Sequence, residues 1–137
     1  MTTLPQEDIL ALAADFILTL QNRTSFHDLL RFYHPDVEQI EFPNTLSRNT
    51  VVRTLADLES ASAKGMTVLQ KEVYNITQSY CIGNTVIIEA TWTGTLGMPM
   101  GDIPIGGEMK ANFAQFFEFK DGKIIRQRNY DCFQPFI

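Results

Sequence analysis

The chain has 137 residues, a formal net charge of −5, 45% hydrophobic and 20% charged residues. That is the size and balance of a single domain, 1–137, able to bury its own core. The absence of a basic cluster argues against nucleic acid and anionic membranes as partners, and no apolar run reaches membrane-spanning length. No basic segment followed by an apolar run marks a signal peptide at the start. Cys81 and Cys132 have no Cys-x-x-Cys or zinc-ligand spacing, so two buried free thiols on strands, in a cytoplasmic protein, are expected.

In chain order, Ile9, Leu12, Ala13, Phe16, Ile17 and Leu20 recur at helical spacing and predict a first helix over residues 5–22, with Pro5 in its first turn. A second, short helix starts at Ser25, carries Phe26, Leu29, Leu30 and Tyr33 on its apolar side, and ends at His34-Pro35-Asp36 because proline disfavours a helical residue before it. Val37–Phe42 reads as a strand. A third helix is expected from Asn49 to Lys64, with Val52, Leu55 and Leu58 inward and Gly65 as its stop.

Only strands are expected after that. They are Leu69–Tyr80, then Thr85–Thr95 with Val86, Ile88, Ala90 and Trp92 on its apolar face, and finally a hairpin over residues 109–133. The turn of that hairpin is Lys120-Asp121-Gly122-Lys123, where Asp-Gly between alternating runs is a strong signal. Between the last two strand pairs lies a linker, Gly94–Gly107, with five glycines and two prolines. It reads as a long hairpin connection or as a lid over a cavity. Helices followed by consecutive strands imply α+β: a cone-shaped, curved, mixed or antiparallel sheet with three N-terminal helices on its concave face.

The hairpin also points to a site. Alternation places Met109, Ala111, Phe113, Gln115, Phe117 and Phe119 on one face of its first strand. On the second strand Arg126, Arg128 and Tyr130 want water, so Ile125, Gln127, Asn129, Asp131 and Phe133 should point inward. Amides and a carboxyl on an apolar inner face are the lining of a small-molecule pocket.

Three stretches resemble the nuclear transport factor 2-like superfamily, and within it the SnoaL-like branch. They are Phe32-Tyr33-His34-Pro35-Asp36-Val37, Trp92-Thr93-Gly94-Thr95, and Phe117 through Lys120-Asp121-Gly122-Lys123 to Ile125. The resemblance spans nearly the whole chain and implies a ketosteroid isomerase- or polyketide cyclase-like domain working without metal or organic cofactor. It aligns Glu41 with the isomerase's base, and Phe16 and Gln115 with its oxyanion donors. Phe16 cannot donate a hydrogen bond and Gln115 donates as an amide. Ala90 and Trp92 stand where an epoxide hydrolase carries Arg and Asp, and Leu96 where many cyclases carry His. Asp131 matches the cyclases' acid/base group.

Asp131 and Glu41 are therefore the candidate catalytic pair. A carboxyl between apolar walls resists ionisation and moves toward the range of a general base. Strand alternation alone turns Ile40 and Phe42 inward and Glu41 outward; the resemblance turns Glu41 inward. Asp131 fits a structural bond to a helix end equally well. The candidate substrate contacts are Gln115, Asn129, Gln127, Trp92, Tyr33, His34, Phe16 and Phe113. His34 also reads as a capping residue, and Trp92 as core. With His27 on a solvated face, the two histidines form no metal pair. The expected ligand is a small hydrophobic carbonyl compound, bound either for isomerisation, cyclisation or dehydration or without chemistry, and the further alternative is a dimeric structural module. The outer sheet positions, taken as Thr91, Thr93, Phe116, Tyr74 and Ile76, carry enough apolar area to predict a homodimer.

Overall fold

A computed structural model describes residues 4–137. Helix α1 spans Gln6–Asn22 and buries Ile9, Ala13, Phe16 and Ile17. A 3-10 helix, Phe26–Phe32, follows. Then come β1 (Tyr33–Glu41), β2 (Val51–Arg53), α2 (Leu55–Val68), β3 (Leu69–Ile82), β4 (Thr85–Leu96), β5 (Glu108–Lys120) and β6 (Lys123–Phe133). They form one six-stranded sheet in the order β2-β1-β6-β5-β4-β3. Every neighbouring pair is antiparallel except β1 with β6, which run parallel. A parallel pair needs a long crossover, and here most of the chain serves as one, so the first strand lies beside the last.

The core fills the space between the helices and the inner face of the sheet. Phe16 of α1 is the hub, edge-on to Phe32, Tyr33 and Phe117 at ring-centroid distances of 5.5, 5.5 and 5.6 Å. Val86, Ile88 and Ile124 from the sheet complete this cluster with Leu29 from the 3-10 helix. The fold is the expected α+β cone, with helices on the concave face of an open mixed sheet.

Several local expectations are corrected. Residues 51–53, assigned by the sequence to a third helix beginning at Asn49, pair with β1 as strand β2, and Val52 is 55% exposed rather than inward. The β-branched pair Val51-Val52 suits a strand. Helix α2 starts after Thr54, whose side chain and that of Asp57 exchange bonds with each other's backbone N–H in a capping box, and that geometry sets the true start. Gly65 lies inside α2 rather than ending it; its cost of about 1 kcal/mol is too small to stop a packed helix. The second helix ends at Phe32, and His34-Pro35-Asp36 open β1 instead.

A register shift between Glu118 and Phe119 makes Ile124, not Ile125, the fully buried residue of its strand; a bulge moves later side chains by one position. Tyr74 and Ile76, expected on the outer face, stand opposite Trp92 and Ala90 in the inner rows. Strand β4 runs on to Leu96, which exchanges backbone bonds with Gly106 and Gly107. The rest of the expected linker is held by the Met100–Ile103 bridge and by a bond from Asp102 N–H to Phe136 C=O.

Candidate functional site

The site begins with the β5–β6 turn. Asp121 and Gly122 both have positive φ, 54° and 74°, as a tight hairpin of primed type requires. The register beyond the turn sets Phe117 opposite Gln127, Gln115 opposite Asn129, and Phe113 opposite Asp131. On the other side of β6, the parallel β1 places Gln39 against Gln127 and Glu41 against Asn129. One inner patch thus collects Gln39, Gln115, Gln127 and Asn129. They are the only four buried polar residues among the described residues. Glu41 and Asp131 border it.

Buried polar groups are normally satisfied within the protein. Here Gln127 Nε2 donates to Asn129 Oδ1 at 2.9 Å. Gln127 Oε1 and Asp131 Oδ1, however, are buried without a hydrogen-bond partner. Burial pushes the Asp131 carboxyl up from 3.8 to about 7, reinforced by the negative charge of Glu41 and opposed by the nearby Gln115 amide and the charge of Arg53.

Glu41 is held differently. Its Oε1 accepts from Arg53 Nη1 at 2.8 Å and its Oε2 from Asn44 Nδ2 at 2.8 Å. The same Arg53 nitrogen donates to Gln39 Oε1 at 3.1 Å. Glu41 thus shares the inner face with Gln39, as the resemblance implies and against simple alternation. Both of its oxygens already accept bonds from protein donors.

Beyond Asp131 the wall turns aromatic. Phe113 stacks on Trp92 at 5.5 Å, and Phe133 stands edge-on to both at 5.9 Å. Trp92 and Phe133 also line an open apolar hollow of about 270 Å³, together with Val68 of α2, Leu96, Met100 and Met109. Behind the indole, Glu72 Oε1 accepts from Trp92 Nε1 at 3.1 Å and its Oε2 pairs with Arg23 Nη1 at 2.8 Å.

Gln115, Asn129, Gln127, Asp131, Glu41, Phe113 and Trp92 therefore share the inner wall. Phe16 and Tyr33 do not join them: both are packed in the aromatic core. His34 lies at the far end of β1, its Nδ1 accepting from Asp36 N–H at 3.0 Å. Sequence reasoning missed Gln39, Asn44, Arg53 and the Arg23–Glu72 pair. Gln39 was within reach, two residues before Glu41 on the same strand face. Arg53 was hidden by the helix assigned across it. The pairing of Arg23 with Glu72 joins distant parts of the chain and leaves no local pattern. Among the described residues no three His, Cys, Asp or Glu side chains converge as a metal site, and no helix is long and apolar enough to cross a membrane.

The fold recurs in solved structures. AclR of Streptomyces galilaeus superposes with a TM-score of 0.76 at 15% identity, over 93% of this chain and 90% of that one. IdmH of Streptomyces antibioticus, a polyketide-cyclase candidate, gives 0.75 at 11% identity over 90% and 91%. An epoxide hydrolase of M. tuberculosis, of the LEH-like type, gives 0.68 at 17% identity over 94% and 84%. At these identities the likeness is one of fold. No curated protein is significantly similar in sequence. The family model for the SnoaL-like domain matches residues 13–127, most of the chain, and the protein belongs to that family.

Proposed function

We propose that the protein binds a small, largely apolar carbonyl compound against its inner wall and performs acid/base chemistry on it, of the isomerase or cyclase kind, through Asp131. The observation that carries this reading is the inner patch: four buried amide side chains beside Asp131, with two buried oxygens lacking a partner. The apolar hollow is not lined by these polar groups but lies next to them along the wall, joined through the rings of Phe113, Trp92 and Phe133, and an apolar space with a few polar groups close by suits a small-molecule site. In this reading Trp92, Phe113 and Phe133 flank the ligand's apolar body, and Gln115, Asn129 and Gln127 take its polar end. A carboxyl poised near neutrality can accept or return a proton beside a carbonyl. The description of IdmH as a cyclase candidate supports the reaction class.

A second reading, ligand binding without chemistry, is favoured by Phe16. The resemblance aligns it with the isomerase's tyrosine, and it is packed among other rings, 1% exposed, with no donor to offer. One experiment separates the two. Trp92 is the only tryptophan, so its fluorescence reports on ligands entering the hollow. A panel of cyclic and aromatic ketones should include compounds that change the emission saturably, and chromatography of the same mixtures should show an altered product. Binding without product selects the second reading. No saturable response from any member overturns both.

We also propose a homodimer through the outer face of the sheet. That face carries Phe116 and Tyr130, whose rings lie 5.6 Å apart, with Tyr130 43% exposed and stacked on Phe42 at 4.7 Å. Exposed Val73 adds to the apolar area, as is usual where a partner covers a surface. Light scattering at micromolar concentration should give twice the chain mass of 15.6 kDa; a monomer would reject the proposal.

A further inference from the structure

We infer that Arg53 is a positioning residue. It clamps Glu41 as a fixed anion facing Asp131, so that of the two inner carboxyls only Asp131 exchanges a proton with a bound ligand. This rests on the acid/base reading above but assigns a residue and a division of labour that reading leaves open.

The argument starts from register. Edge strand β2 is three residues long, and its pairing with β1 sets Arg53 opposite Gln39 and Val51 opposite Glu41. Arg53 therefore shares a sheet face with Gln39 and Glu41, and a single nitrogen, Nη1, reaches Glu41 Oε1 at 2.8 Å and Gln39 Oε1 at 3.1 Å. Glu41 is level with Asn129, and Asp131 is the next inward residue along β6, which makes the two carboxyls diagonal neighbours on one face. They are not equivalent. Glu41 accepts on both oxygens, from Arg53 and Asn44, a pattern that fits the anion, since a protonated carboxyl must donate with one oxygen. Asp131 Oδ1 has no partner at all. Charge-assisted bonds to a guanidinium are strong and directional, so a proton entering the pair is excluded from Glu41 and directed to Asp131.

The charged and titratable groups acting on Asp131 come from three strands: Glu41 on β1, Arg53 on β2 and Tyr74 on β3. Strand β5 contributes the neutral amide of Gln115. Glu41 and Arg53 act in opposite directions, and they are bonded to each other, so the pair works as a unit. Two interacting carboxyls otherwise titrate jointly, in steps that belong to neither.

The test is a carbon-13 NMR titration of the Asp131 carboxyl in ligand-free protein. Wild type should show a single step. Glu41→Gln should move the midpoint down, because a neighbouring negative charge is lost. Arg53→Met should move it up and split it into the two-step curve of a coupled pair. Arg53→Lys, which keeps the charge, should restore most of the single step. An arginine that merely braces β2 would lower the melting temperature and leave the curve in place. An unmoved midpoint in Arg53→Met with a native-like backbone spectrum overturns the inference. If that variant does not fold, an unmoved midpoint in Glu41→Gln does so. Because no ligand is present, this outcome is independent of the ketone panel, on which the functional reading itself stands or falls.

Discussion

Asp131→Asn should lower turnover by about two to four orders of magnitude, the usual loss when a positioned acid/base group is removed, while leaving ligand affinity largely in place. The substitution keeps shape and retains a hydrogen-bonding side chain but removes the exchangeable proton. The same variant has a stability signature that needs no substrate. Burial, with the charge of Glu41 behind it, raises the folded carboxyl from 3.8 to about 7. Between those two values the unfolded chain gives up the proton while the folded protein retains it. The stability this retention contributes is fully present below the unfolded value and is lost as pH rises through the folded one. At the upper end the loss amounts to about 4 kcal/mol. Asp131→Asn should abolish that slope, so the variant gains on wild type as pH rises from acid to neutral. Denaturant melts of both proteins across this window check it. A wild-type advantage that grows with pH would mean a carboxylate stabilised in the fold, and would reject the acid/base assignment.

The second large effect is expected away from the reacting groups. Arg23→Met should cost about 3–5 kcal/mol of stability, because it strands a buried carboxylate. The side chains of Arg23 and Glu72 are only 7% and 13% exposed. Arg23 also donates to Ser62 Oγ at 3.0 Å and to the Leu20 carbonyl at 2.7 Å, tying the end of α1 to α2. Glu72 in turn holds the Trp92 indole N–H, with the Tyr74 hydroxyl at 3.4 Å. The double variant Arg23→Met with Glu72→Gln should recover part of the loss, since the orphaned charge is gone. Urea melts of the two single variants and the double variant measure the coupling. An Arg23→Met protein within about 0.5 kcal/mol of wild type, the range of an ordinary surface change, would show that the pair is not a structural tie. The loss should also loosen the indole, seen as a changed Trp92 emission in the folded variant.

Legible along the chain were the α+β class, the positions of α1 and of the strands from residue 69 onward, and the hairpin that carries Gln115, Gln127, Asn129 and Asp131. These follow from local chemistry: periodicity of 3.6 or 2, and an Asp-Gly pair whose backbone has one comfortable solution. Where β1 goes was not legible in that way. Parallel pairing with β6 joins residues some ninety positions apart, and no local pattern encodes it. Yet that pairing brings Gln39 and Glu41 beside Gln127 and Asn129. Alternation misjudged Glu41 because Ile40 and Phe42 are the more apolar neighbours, and the guanidinium of Arg53 with the amide of Asn44 makes an inward carboxylate tolerable. Arg53 itself was concealed because a three-residue edge strand is shorter than any reliable periodicity. The Arg23–Glu72 tie and the aromatic packing of Phe16 were likewise decided by tertiary contact, since burial of charge and of ring edges depends on what the rest of the chain supplies.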